Sequence, residues 1–139
     1  MEFPFSKSPR RSGHSGATGN GSSTKQAGDA AEDEALRHLQ QHGLRLLQRN
    51  YRTPGRGGGE IDLIMQAPDG TTVFVEVRSR ATTAHGGAGA SISFFKQRRI
   101  IFAARHYLNQ QRRMPPCRFD VVLLEPTGLQ WLKAAFDAN

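Results

Sequence analysis

The segment that decides the fold is residues 60–80, with the sequence EIDLIMQAPDGTTVFVEVRSR. β-Branched and aromatic residues dominate both halves of this segment, which is typical of strands. Between the halves, Ala67-Pro68-Asp69-Gly70 is a strong turn signal. The sequence therefore predicts two antiparallel strands, over 60–66 and 71–80, that form a hairpin.

Acidic side chains interrupt the apolar pattern of this hairpin. Because alternate side chains share one face of a strand, Ile61 is expected to point the same way as Leu63. By the same alternation, Asp62 shares the other face with Glu60, and Glu76 lies on one face of the second strand. Both strands thus carry a carboxylate inside an otherwise apolar run.

The length of the turn sets the expected register. A turn centred near Asp69 places Asp62 opposite Glu76, and Glu60 opposite Arg78. Opposed residues have Cβ atoms about 4.5–5.5 Å apart, so the two carboxylates repel each other unless a proton or cation intervenes. Mg²⁺ or Mn²⁺ suits this place because both ions prefer oxygen ligands and can assist phosphodiester hydrolysis. Asp62 and Glu76 are therefore the candidate metal ligands.

The same residues have a second interpretation. Glu60 and Asp62 can simply balance Arg78 and Arg80 on a salt-bridged face of the sheet. Short acidic motifs match by chance often enough that this alternative stays open on the hairpin alone.

The surrounding sequence predicts helices and further strands. A helix is expected over 25–42, with Gly43 as its stop signal, and a second over 93–110. Strands are expected over 44–52 and 117–125, and residues 129–136 are expected to form a short strand followed by a helical turn. This order predicts an α/β fold, a sheet with helices packed on it.

Glu32 is the one acid that follows the apolar side of the first helix. It precedes Leu36 and Leu39 at helical spacing, so its side chain is expected to point toward the sheet. A buried carboxylate needs a partner or a function. Glu32 therefore joins the candidate site.

The charge of the chain favours a polyanionic partner. Lys and Arg total 19 against 12 acidic residues, a net charge of +7, and no acidic residue occurs between Glu76 and Asp120. Nucleic acid is the first expectation for such a surface. The candidate nucleic-acid contacts are Arg52, Arg56, Arg80, Lys96, Arg98, Arg99 and Arg105.

Cysteine usage and the N-terminal segment bound the setting of the protein. A single cysteine excludes an intramolecular disulfide and favours the cytoplasm, and no apolar run approaches the roughly 18 residues that span a bilayer. Residues 1–24 are rich in Ser and Gly and are expected to be a disordered basic tail. Residues 25–139 are expected to form a single domain.

Five segments in order resemble a known family. They are GDAAEDEAL (28–36), RNYRTPGRGGGEIDLI (49–64), VFVEVRSR (73–80), SFFKQRRI (93–100) and CRFDVV (117–122). Together they resemble the YraN-type family of small bacterial proteins, over about residues 25 to 137. That family is similar to the restriction-endonuclease-like, or PD-(D/E)xK, superfamily, with Holliday-junction resolvases as its nearest relatives in fold.

The resemblance implies a mixed β-sheet flanked by helices and a role for each acid. Asp62 would match the first metal-binding acid, Glu76 the second, and Glu32 the helical glutamate that joins the site. Glu60 would be an accessory acid, and the resolvase-like relatives imply a homodimer. Glu32, Asp62, Glu76 and Arg78 are thus the candidate catalytic residues.

Arg78 departs from the superfamily pattern, which has lysine at its position. Lysine can shift its pKa and help to activate water, whereas arginine stays charged. Arg78 can still stabilise charge on phosphate. An ammonium group from Lys96, at the start of the second helix, is a possible substitute.

Three functions follow from these residues. The first is a Mg²⁺- or Mn²⁺-dependent endonuclease acting on DNA, with branched and single-stranded forms among its candidate substrates. The second is a nuclease-like fold that binds nucleic acid without cutting it, which Arg78 favours. The third is a protein-interaction domain whose charge serves an acidic partner.

Overall fold

The structure is a computed structural model that describes residues 20–80 and 92–138. Its elements in chain order are α1 (Asn20–Gln41), β1 (Arg45–Arg52), β2 (Glu60–Gln66), β3 (Thr72–Ser79), α2 (Phe94–Leu108), β4 (Cys117–Glu125) and β5 (Gly128–Phe136). The strands form one five-stranded sheet in the order β1-β2-β3-β4-β5.

The sheet is mixed, as the resemblance implied. β3 and β4 are parallel, while the other neighbouring strands are antiparallel. Parallel neighbours need a long crossover, and α2 lies in that connection. The predicted α/β fold, a mixed sheet flanked by helices, is confirmed.

Each helix covers a hydrophobic cluster on the sheet. Ala35 and Leu39 of α1 belong to a buried cluster that contains Val73 of β3. Ile100 of α2 belongs to a different cluster, which contains Phe74. Because Val73 and Phe74 are consecutive on one strand, they point to opposite faces, so the two helices pack on opposite sides of the sheet.

Two predicted elements differ from the structure. Helix α1 begins at Asn20 rather than Lys25, because Ser and Thr lower helix propensity by only tenths of a kcal/mol and do not stop a helix. The predicted tail therefore loses residues 20–24 to the helix, and its residues 1–19 lie outside the described residues. The helical turn predicted near residue 136 is wrong, since β5 continues to Phe136.

Hydrogen bonding at the middle of β5 explains this second difference. Ala134 adopts a left-handed φ of 51°, and its backbone N–H donates to Oδ1 of buried Asp120 at 2.9 Å. The pairing of β4 with β5 shifts register at the same place. A bulge thus absorbs the irregularity while the strand continues.

The part of the chain that the structure describes contains two helices. Neither α1 nor α2 is long and apolar enough to cross a bilayer.

Candidate active site

The β2–β3 hairpin has the predicted register. Leu63 pairs with Val75 and Gln66 with Thr72, so one further step along both strands sets Asp62 opposite Glu76. The pairing ends at Leu63, however. Asp62 accepts a hydrogen bond on Oδ2 from the backbone N–H of Val77 at 2.8 Å, in the place where strand pairing would have continued. The hairpin therefore opens at the acidic position.

The opening changes the direction of one apolar side chain. Alternation predicted that Ile61 and Leu63 share a face, and this prediction is wrong. Ile61 lies in the α2-side cluster with Ile64, whereas Leu63 lies in the α1-side cluster. The pairing of β2 with β3 ends at Leu63. For this reason the side chains of β2 do not keep alternating between the two faces of the sheet across Asp62.

Asp62 and Glu76 come together at this opening, and we call them the carboxylate pair. The two carboxyl groups lie close enough for each to affect the pKa of the other. Burial, and then the charge of Asp62, raise the pKa of Glu76 to about 7. Burial also raises the pKa of Asp62, although the Val77 N–H and the Lys96 ammonium act in the opposite direction. Asp62 thus has a second carboxyl group and the Lys96 ammonium in its surroundings.

Lys96 supplies the cation of the site. Its Nζ lies 3.4 Å from Glu76 Oε2, and the Glu76 side chain is only 10% exposed. The position of Lys96 is fixed by the start of α2, where Ser93 Oγ accepts a hydrogen bond from the Lys96 backbone N–H at 3.1 Å. The sequence analysis gave Lys96 both as a nucleic-acid contact and as a possible source of the ammonium group, and the structure brings this ammonium to Glu76.

Glu32 reaches the site from α1. Its carboxylate lies 3.5 Å from Nε of Arg49, while Arg49 makes a closer ion pair, at 2.7 Å, with Asp33. Burial, followed by repulsion from Asp62, raises the pKa of Glu32 to about 7. Within residues 20–80 and 92–138, Glu32 Oε1 is buried without a hydrogen bond. Glu32 is thus an acid whose hydrogen bonding is incomplete and whose pKa depends on the charge of Asp62.

Two residues of β1 contribute to this environment and were missed. Arg49 makes the ion pairs just described, and Asn50 hydrogen-bonds the Glu32 carboxyl group. Asn50 has a left-handed φ of 53°, a conformation that Asn adopts more readily than most residues. An Arg-Asn step inside a predicted strand was the available signal.

The accessory positions are more exposed than the pair. Glu60 lies 3.6 Å from Arg52, and both side chains are substantially exposed. Glu60 nevertheless helps to raise the pKa of Asp62, so its charge acts on the site. Arg78, expected opposite Glu60, is partly buried on β3, where alternation places it on the same face as Glu76. Arg80 ends this segment, with its backbone N–H donating to Leu124.

The remaining predicted nucleic-acid contacts lie on α2 and in the loop before β2. Arg98, Arg99 and Arg105 are exposed, as is Arg56 in the loop TPGRGGG. Arg99 also donates a hydrogen bond to the carbonyl of Gly58 at 2.8 Å, which fastens this loop to α2.

Glycine is required at the next position of the loop. A Cβ atom at Gly59 would lie 2.0 Å from the carbonyl oxygen of Arg99, which is closer than atoms can approach. The Gly59 N–H donates to Thr53 Oγ1 at 2.9 Å. The Thr53 N–H in turn donates to the Gly59 carbonyl at 3.1 Å, so hydrogen bonds join the two ends of the loop. The second glycine-rich loop, AHGGAGA, lies outside the described residues.

The donor set fits a catalytic magnesium or manganese ion better than a structural metal. Among residues 20–80 and 92–138, no three His, Cys, Asp or Glu side chains form a group that could hold a metal. Structural zinc needs four protein ligands, whereas Mg²⁺ commonly uses one or two carboxylates and completes its shell with water and phosphate. In their ionised forms, the two members of the carboxylate pair offer two such ligands.

Comparison with known proteins is consistent with the geometry. Residues 31–124 match the model of "Uncharacterised protein family UPF0102". A UPF0102 protein of Albidiferax ferrireducens is 79% identical over 115 residues, covering 83% of this chain and 90% of that protein. A UPF0102 protein of Paracidovorax citrulli is 65% identical over 124 residues, covering 89% and 92%. One from an Acidovorax species is 65% identical over 115 residues, covering 83% and 87%.

The matched region contains α2, all of β1 to β3 and the acids Glu32, Asp62 and Glu76. The similarity therefore includes the whole candidate site. This chain belongs to the uncharacterised protein family UPF0102, the YraN-type family, which is restriction-endonuclease-like.

Proposed function

We propose that this protein is a Mg²⁺- or Mn²⁺-dependent phosphodiesterase that cuts DNA in the cytoplasm. The observation that carries the proposal is the carboxylate pair, buried at the opening of the hairpin with the Lys96 ammonium 3.4 Å from Glu76. Glu76 is buried and Asp62 is half-buried, and two carboxyl groups that face each other away from water are unfavourable for folding and are enriched at functional sites.

Each residue of the site has a role in this proposal. Asp62 and Glu76 would hold the ion, which when bound polarises a phosphoryl oxygen and lowers the pKa of a bound water. Asp62 is oriented by the Val77 N–H, so one of its oxygens remains available as a ligand. Glu32 adds negative charge behind the pair and is itself positioned by Arg49. Glu60 adds charge from the exposed end of β2.

Lys96 can provide the ammonium group that the superfamily pattern requires and that Arg78 does not have. The superfamily pattern has a lysine at the position of Arg78, and an arginine cannot replace its chemistry. Here an ammonium group reaches the same acid from α2 rather than from β3. Lys96 can position the attacking water and stabilise charge on the phosphate, while Arg78 contributes a fixed positive charge.

The basic surface supplies the attraction for substrate. Arg98 and Arg105 are exposed on α2, the helix that also carries Lys96. Arginines on a helix that reaches the site can hold the phosphate backbone next to it. We therefore expect binding that weakens steeply with salt.

The test is cleavage of a labelled DNA panel that includes single-stranded, duplex and branched forms, with Mg²⁺, Mn²⁺ or EDTA. Metal-dependent cutting by the wild type should be abolished by Glu76→Ala, while circular dichroism shows an unchanged fold. Glu34→Ala is the matched control, because Glu34 is an exposed acid on α1. Cutting that survives Glu76→Ala would come from a contaminating nuclease and would refute the proposal.

A non-catalytic nucleic-acid-binding module is the second candidate, and Arg78 is the observation that favours it. It predicts salt-sensitive DNA binding with no turnover under any metal condition and no gain from Arg78→Lys. Failure to bind DNA or RNA at low salt would instead favour a protein-interaction domain.

A further inference from the structure

Helix α2 exposes three aromatic rings. The side chains of Phe94, Phe95 and Phe102 are 71%, 71% and 54% exposed. A phenylalanine in water forgoes a large hydrophobic stabilisation, so several exposed rings on one helix indicate a binding surface.

The exposed rings alternate with arginines. Phe95, Arg98, Phe102 and Arg105 follow the spacing i, i+3, i+7 and i+10. At 3.6 residues per turn this spacing keeps all four side chains on one stripe. Since the buried residues of α2 include Ile100 and Ala104, the stripe faces away from the sheet. We call these four residues the aromatic–arginine stripe.

Phe94 lies beside the start of this stripe. The Arg98 guanidinium carbon lies 5.6 Å from the centroid of the Phe94 ring, within the range of a cation–π contact. Arg98 therefore lies against a ring face while its charge stays accessible to solvent. This arrangement combines a planar apolar surface with a positive charge.

Charge decides which occupant fits the stripe. A second copy of this chain would bring its own arginines against Arg98 and Arg105, and like charges in contact oppose association. No acidic residue occurs between Glu76 and Asp120 to offset them. A polyanion that also carries flat apolar groups satisfies both halves of the stripe. Single-stranded nucleic acid is such a partner, because its bases are free to stack.

Duplex DNA does not fit as well. Its bases are already stacked, and its outer surface presents phosphates, which gain nothing from contact with phenylalanine rings. The rings would then stay unsatisfied while only the arginines bind. The composition of the stripe thus discriminates between the two forms of substrate.

The stripe begins next to the proposed active site. Phe95 and Lys96 are consecutive, and the Lys96 ammonium reaches Glu76 of the carboxylate pair. From Phe95 to Arg105 the helix rises about 15 Å. The N-terminal end of the stripe is therefore next in sequence to the residue that reaches the carboxylate pair.

We infer that the aromatic–arginine stripe of α2 is a base-stacking surface that selects single-stranded nucleic acid, or the unpaired part of a branched one, as the substrate. The inference deepens the proposed function and rests on it for the substrate role. Binding to the stripe itself needs no cleavage and is tested separately.

The test is fluorescence anisotropy in EDTA with a labelled oligothymidine, the same oligomer with abasic sites, and a duplex of equal length. The wild type should bind the single strand more tightly than the duplex. Phe95→Ala and Phe102→Ala should each weaken binding to oligothymidine by about tenfold. Neither substitution should change binding to the abasic oligomer, which keeps the phosphates and lacks the bases.

Two controls separate stacking from other effects. Met114→Ala removes another exposed apolar side chain, 69% exposed and outside α2, and should leave affinity unchanged. Arg98→Gln should weaken binding to both oligomers equally and lower the salt slope.

Three results would overturn the inference. They are equal affinity for single strand and duplex, an equal loss on the abasic oligomer, and a Phe95→Ala, Phe102→Ala double variant that binds oligothymidine like the wild type. The double variant could also sediment as a monomer where the wild type sediments as a dimer, without any loss of oligothymidine binding. That result would assign the stripe to self-association. Absence of cleavage in metal would count against the proposed function alone, because binding is measured without metal.

Discussion

Asp120 and the carboxylate pair lie in the same sheet, where Asp120 and Glu76 are buried and Asp62 is half-buried, but their hydrogen-bond partners differ. Asp120 is fully buried and accepts hydrogen bonds from Trp131 Nε1 at 2.9 Å, from the Ala134 N–H at 2.9 Å and from Arg118 Nε at 3.0 Å. These bonds tie β5 to β4. Asp120 therefore acts as a structural carboxylate.

The carboxylate pair has fewer donors and more repulsion. The Val77 N–H and the Lys96 ammonium act on the two carboxyl groups, and each acid raises the energy of the other when both are charged. The comparison teaches that burial alone does not identify a reactive acid. The number of donors that face it does.

The largest expected effect is a contrast in stability between the two kinds of acid. Asp120→Ala leaves the Ala134 N–H, the Trp131 indole and the Arg118 guanidinium without their acceptor and opens a space in the sheet, and should lower the free energy of unfolding by about 3 kcal/mol. Asp62→Asn keeps an acceptor for the Val77 N–H and removes repulsion, so it should leave stability unchanged or raise it by about 1 kcal/mol in metal-free buffer. Urea unfolding at neutral pH measures both. Equal losses of unfolding free energy in Asp120→Ala and Asp62→Asn would contradict the distinction between the structural carboxylate and the carboxylate pair.

Lys96 offers the next largest effect, on cleavage. Lys96→Met removes the ammonium beside Glu76 and should lower the single-turnover rate by about a hundredfold. Lys25→Met makes the same change at an exposed position of α1 and should leave the rate intact. If the cleavage rate survives Lys96→Met but falls with Arg78→Met, the cation that assists cleavage is Arg78 on β3 and not Lys96.

Glu32 gives the smallest effect, in the pH dependence of stability. Burial raises its pKa from 4.5 to about 7, so between these values the unfolded chain loses the proton while the folded chain keeps it. The free energy of unfolding should therefore fall as pH rises from about 4.5 to about 7. Glu32→Gln should reduce that fall by about 1–2 kcal/mol, less than the whole shift implies because the carboxylate keeps some contact with water.

Urea unfolding in EDTA across this pH range tests the effect. Glu34→Gln, at an exposed position on the same helix, should leave the slope unchanged. If the free energy of unfolding depends on pH in the same way in Glu32→Gln and in the wild type, the pKa of Glu32 is not raised by folding.

The hairpin shows how far sequence reasoning reaches. The bounds of β2, the turn and the register that opposes Asp62 to Glu76 followed from β-propensity, a Pro-Asp-Gly turn and loop length. All of these are local properties. The sequence did not predict the face of the sheet on which the Ile61 side chain lies, because this depends on where the pairing of β2 with β3 ends.

The sequence by itself determined most of the elements, the α/β class and the acids that meet across the hairpin, since periodicity and turn chemistry act over a few residues, while the family resemblance implied that the sheet is mixed. Only the tertiary structure decided that Lys96 reaches Glu76, that Arg49 and Asn50 hold Glu32, and that Asp120 ties β5 to the sheet. These contacts join residues far apart in the chain. They depend on how the two helices pack on opposite faces of the sheet, which no local pattern specifies.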